Sequence, residues 1–94
     1  MFCQITTAQR AATTRCLDVE MTPSTTRMGH WDCQVEIVDP AMSYPPYSLL
    51  NVTPEDLGRQ LDEWSAWHGG PDGPLPVYFA KVEPQVLAKV MAYV

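Results

Sequence analysis

Apolar and polar positions recur with a readable period in five stretches of the chain. From Arg15 to Met21, Leu17, Val19 and Met21 share one face while Cys16, Asp18 and Glu20 share the other, the two-residue period of a half-buried strand. His30 to Asp39 repeats the pattern, with Trp31, Cys33, Val35 and Ile37 opposite Asp32, Gln34, Glu36 and Val38. Val77 to Val82 is apolar on both faces except at Lys81, which predicts a central or helix-covered strand. Leu57, Leu61, Trp64 and His68 fall instead at helical spacing, with Glu55, Arg59, Asp62, Glu63 and Ala66 on other sides. Val86, Leu87, Val90, Met91 and Val94 form the stripe of a last helix over Pro84 to Tyr93, leaving Gln85, Lys89 and Tyr93 outside.

Local chemistry marks the ends of the longer helix. Thr53 suits the N-cap, Pro54 the first turn, Asp56 the acid of a capping box, and Val52 with Leu57 a hydrophobic staple; Gly69, Gly70 and Pro71 stop it. Weaker patterns predict a first strand over Phe2 to Thr6 and a turn over Thr7 to Arg15. Thr22 to Gly29 reads as a hairpin connection, Gly69 to Pro76 as a loop, and Ala41 to Asn51 as a loop in which Tyr44-Pro45-Pro46-Tyr47 is stiff and extended. The expected order is βββαβα in one domain over 1–94. This is an α+β fold, a small mostly antiparallel sheet with two helices packed on one face. The acidic sheet face, with Asp18, Glu20, Asp32 and Glu36, is then left to solvent.

Charge narrows the function. Eleven acids against six bases give a net charge of -5, which disfavours direct binding to nucleic acid and favours basic partners. No apolar run approaches a membrane span and no signal peptide opens the chain, so the expected setting is soluble and cytoplasmic, with no membrane partner. The three cysteines, Cys3, Cys16 and Cys33, are an odd count without zinc or redox spacing, and read as small buried hydrophobes.

No catalytic signature emerges. His30 and Cys33 project to opposite faces of a strand, so they do not chelate one metal. His68 ends a helix, where a protonated imidazole suits the dipole. Cys16 is the most plausible exposed thiol, yet only Arg15 lowers its pKa and Asp18 opposes that. Asp18 and Glu20 share a face but lack the cleft that splits the pKa values of a carboxylate pair. No glycine-rich loop precedes a helix. The expectation is a protein without catalytic residues, cofactor or metal.

Binding remains. Asp18, Glu20, Asp32 and Glu36 form one acidic surface; Glu55, Asp62 and Glu63 form a second, partly neutralised by Arg59 at i,i+4. Tyr44, Tyr47 and Trp67 are candidate aromatic anchors, although a lid on the core is the favoured reading of the two tyrosines. Carboxylate arrays can occupy sites built for phosphate, because Arg and Lys recognise both groups. In size, charge and these acidic positions the chain resembles the small acidic inhibitors that phages carry against host enzymes, including anti-CRISPR proteins. The resemblance implies a non-enzymatic inhibitor that occludes a basic surface of a protein or nucleic-acid-handling complex. The alternative is a subunit of a homodimer or larger assembly, joined through Tyr44, Tyr47 and the last helix.

Overall fold

The structure, a computed structural model, describes residues 1–92. Four strands, β1 (Cys16–Pro23), β2 (Trp31–Val38), β3 (Tyr47–Val52) and β4 (Val77–Ala80), form one sheet in the order β3-β2-β1-β4. Among the described residues three α-helices accompany it, α1 (Thr7–Ala11), α2 (Pro54–Gly69) and α3 (Pro84–Met91). The class is α+β, as the patterning predicts. The sheet is mixed, because β1 pairs antiparallel with β2 and parallel with β4. Two antiparallel steps leave β3 running in the direction of β1. The 16-residue α2 then carries the chain back across the sheet, so β4 enters at the same end and pairs in parallel.

Both clear strands keep the predicted faces. Leu17, Val19, Cys33, Val35, Ile37, Val77 and Phe79 are buried on the helix side, against Leu57 and Leu61 of α2 and Val90 of α3. The stripe of α2 is rotated slightly from the sequence reading. Its buried positions are Pro54, Leu57, Gly58, Leu61, Ser65 and Gly69, with Trp64 and His68 half-buried on its flank. The Thr53 hydroxyl accepts the Asp56 amide at 3.2 Å, but the Asp56 carboxylate binds Arg59 at 2.8 Å. In α3, Val90 is buried while Val86, Leu87 and Met91 are half-buried; the predicted roles of Tyr93 and Val94 lie outside the described residues.

Three expectations are corrected. The first strand shrinks to one parallel bridge between Gln4 and Val77, where the Ile5 amide donates to Val77 at 3.0 Å and the Val77 amide to Cys3 at 2.9 Å. Phe2 and Ile5 are buried, but three positions apart they do not follow a strand's period. Thr7 to Arg15 is not a plain turn: α1 forms behind a complete capping box between Thr6 and Gln9. The loop over Ala41 to Asn51 contains β3. Of the two places expected for β4 it takes the helix-covered one, with Val77 and Phe79 in the core cluster beside Leu57 and Val90; it stands at the end of the sheet order, its first residue covered by the N-terminal segment.

The end of α2 shows why a glycine is needed there. Gly69 has helical backbone angles, φ -73 and ψ -37, so conformation does not require it. Space does: a Cβ at this position would lie 2.9 Å from the Pro74 Cα and 3.0 Å from the Leu75 nitrogen. The segment that leads into β4 lies directly on the helix. It is fixed there by the Leu75 amide on the Ser65 carbonyl at 3.0 Å and by the buried Ser65 hydroxyl on the Leu75 carbonyl.

Candidate functional site

Because α2 and α3 cover one side of the sheet, the side chains that alternate outward from β1, β2 and β4 meet on the other. There Glu20, Gln34, Glu36, Tyr78 and Ala80, with Tyr44 reaching in from the loop before β3, line a cleft of about 430 Å³. Asp18 and Glu36 are direct cross-strand partners, the like-charge pairing that the two strand patterns require.

Arg10, a residue the sequence reading did not select, changes the charge of that face. Its Nε and Nη2 donate to the two Asp18 oxygens at 2.7 and 2.9 Å, a fork on a carboxylate, while Nη1 donates to the Thr13 carbonyl at 3.2 Å. The Asp18 hydrogen bond and the charge of Glu36 both raise the Arg10 pKa above its ordinary value. The short helix α1 thus stands beside the acidic face and is tied to it again by Thr7 Oγ1 and the Tyr78 hydroxyl at 3.3 Å. Of the four predicted sheet acids, Asp18 is neutralised. Asp32 accepts the Asn51 amide at 3.0 Å and so fixes the end of β3. Glu20 and Glu36 are exposed and, among the described residues, without an ion-pair partner.

The second predicted surface is likewise divided. Asp62 takes the Met1 amino group at 3.0 Å and the Phe2 amide at 3.1 Å, which ties down the N-terminal segment. Glu55 and Glu63 are exposed. Arg59 pairs with Asp56 at i,i+3, a partner the i,i+4 reading did not include.

The aromatic anchors separate into a lid and a free ring. Tyr47 stacks on Trp64 with ring centres 4.0 Å apart and planes 5° from parallel, and its hydroxyl lies 2.9 Å from His68 Nε2. Tyr44 meets His68 edge-on at 5.0 Å. Both tyrosines are half-buried on the core edge. Trp67, off the buried stripe, is 79 % exposed.

Of the residues weighed for catalysis, Asp18 and Glu20 line the sheet-face cleft, which the strand pattern alone did not lead one to expect, whereas Cys16, Cys33 and His68 are held in the packing. Cys16 is fully buried, not exposed as expected; burial first, and Asp18 next, push its thiol up to about 12. Cys33 is pushed up to about 12 by burial and then by Asp32, and Cys3 alone of the three thiols is exposed. Burial lowers the His68 pKa below 6.5, so the imidazole is neutral near pH 7 and does not supply the helix-end charge. Arg15 supplies it instead, donating to the His68 carbonyl at 2.9 Å while standing 3.4 Å from Asp39 and 3.5 Å from Asp72. Among the described residues, no three His, Cys, Asp or Glu side chains gather as a metal ion would require, and no helix is long and apolar enough to cross a membrane.

The His68 environment has a measurable consequence. A histidine whose folded pKa is depressed resists protonation in the folded state, so its contribution is intact above 6.5 and lost as pH falls towards the folded pKa. His68→Gln, which retains a polar partner for Tyr47, should therefore lose less Tm than the parent protein between about pH 7.5 and 5.5. Equal losses in thermal melts at the two pH values would contradict this assignment.

Fold and face together define a small α+β domain with a mixed four-stranded sheet, helical on one side and acidic on the other. No family model, no curated protein and no solved structure matches the chain.

Proposed function

We propose that this is a non-enzymatic binding domain whose open sheet face docks on a basic surface of a larger protein or nucleic-acid-handling complex and occludes it. This would be the action of a small phage-encoded inhibitor of the anti-CRISPR kind. The observation that carries the reading is the cleft lined by Glu20, Glu36, Tyr44 and Tyr78, where two exposed carboxylates stand beside aromatic surface on a rigid sheet. Such a face presents anions to Arg and Lys side chains and a flat apolar contact at once. Asp18 contributes through position more than charge, since Arg10 neutralises it.

The test is retention from a candidate host lysate at low and high salt, comparing the parent protein with Glu20→Gln/Glu36→Gln. Replacing two exposed acids leaves the core untouched, so the variant should fold. It should lose a basic partner that the parent protein captures at low salt and releases at high salt. Equal capture by both proteins would sink the reading.

A second reading, a subunit of a homodimer or larger assembly, draws on the outer edge of β3, the end strand of the sheet, where Leu50 is 74 % exposed. Sedimentation decides it: a dimer that persists on dilution supports this reading, and a monomer at all concentrations removes it.

A further inference from the structure

On the helix side of β3, away from the Glu20 and Glu36 face, lies a second concavity of about 520 Å³ lined by Tyr47, Glu63, Trp64, Ala66 and Trp67. Its construction follows from two simple spacings. Glu63 and Trp67 are one helical turn apart, at i and i+4, and Trp64 lies three residues before Trp67, so all three project to one side of α2. Tyr47 comes from the neighbouring edge strand and stacks flat on Trp64 at 4.0 Å, and its hydroxyl is held by His68 at 2.9 Å. One wall is therefore rigid and aromatic. The other, Trp67, is 79 % exposed, and Glu63 stands in the same lining as an exposed carboxylate.

From this arrangement we infer a binding pocket for an arginine side chain of a partner protein. Aromatic faces carry negative potential and attract cations, most strongly at Trp. A planar guanidinium can stack on an indole while its edge donates to a carboxylate, a combination that a compact ammonium matches less well. The chain's net charge of -5 favours the approach of a basic segment over an acidic one. An uncharged apolar side chain would use the rings but leave Glu63 without a counterion. The pocket does not rest on the sheet-face reading and would stand if that reading failed.

The test uses the full chain, labelled with ¹⁵N, titrated with the acetylated, amidated peptide Gly-Arg-Gly-Arg-Gly and with its citrulline and lysine counterparts. Citrulline keeps the shape of arginine and removes its charge. The indole N–H signals of Trp64 and Trp67 should shift and saturate with the arginine peptide. The signal of Trp31, packed against the core beside Met21 and Val82, should stay still. Trp67→Ala removes an exposed ring, so it should fold and bind about two- to fivefold more weakly, and Glu63→Gln should weaken binding by a similar factor. The lysine peptide should bind more weakly than the arginine peptide. Equal shifts with citrulline, equal affinity for lysine, full affinity in Glu63→Gln, or no movement of the two indoles would each overturn the inference.

Discussion

Gly69→Ala is expected to destabilise the protein by about 1–3 kcal/mol, the usual cost of forcing atoms into a filled space. Helix propensity alone gives the opposite sign, since alanine in place of a helical glycine ordinarily stabilises by about 0.4–1 kcal/mol. The close approach decides between them. The new Cβ would meet the backbone of Pro74 and Leu75, not the far end of a side chain, and that backbone leads directly into β4. Relief requires moving the segment that Ser65 holds by two hydrogen bonds. In a domain of this size each kcal/mol corresponds to about 4–8 °C of Tm. A melt that rises or stays level in the variant would show that the Pro74 segment can retreat.

Leu61→Ala should cost more, about 2–5 kcal/mol. Leu61 is fully buried at the middle of α2, in one cluster with strand residues and with Val90 of α3. Its removal opens a cavity bounded by elements from both ends of the chain, which cannot all move inward together. Since small domains hold about 5–15 kcal/mol in total, the variant should unfold at markedly lower denaturant with an unchanged slope. A midpoint within experimental error of the parent would place the weight of the core elsewhere.

How far the fold was legible depends on whether a local period survives at full length. β1 alternates from Leu17 to Glu20 and β2 from Cys33 to Ile37, and α2 carries cap, stripe and stop. β3 does not: Tyr47 and Leu49 are half-buried, Leu50 is exposed, and Asn51 adopts φ 54 opposite an irregularity between Trp31 and Cys33. That shift returns Val52 to partial burial and erases the two-residue period, while Pro45 and Pro46 just before it imitate a loop. The signal for α1 was present in Thr6 and Gln9, a capping-box spacing too short to carry an apolar stripe. The parallel placement of β4 has no local signal at all.

The candidate site was legible to the same degree. Alternation places Asp18, Glu20 and Glu36 on one outer face, and the structure keeps them there. It could not show that Arg10 would fold beside Asp18, that Asp62 would hold the N-terminal segment, or that Asn51 would occupy Asp32. Those partners are chosen by topology. Trp67 was legible because it falls off the buried stripe of its own helix, whereas the role of Tyr47 depends on a strand the pattern concealed.

The parallel neighbours of β1 and the N-terminal segment also set an order of assembly. The meander from β1 to β3 is local and can form as soon as it is made. β1, however, shows an open flank until β4 arrives, and Phe2 has no finished core to enter until Phe79 does. The segment around Phe2 is thus among the last to find its place, and closure of the sheet waits for β4. Non-local pairing of this kind slows folding relative to a helical bundle of equal length, and until it is complete the flank of β1 is the surface most in need of protection from other strands.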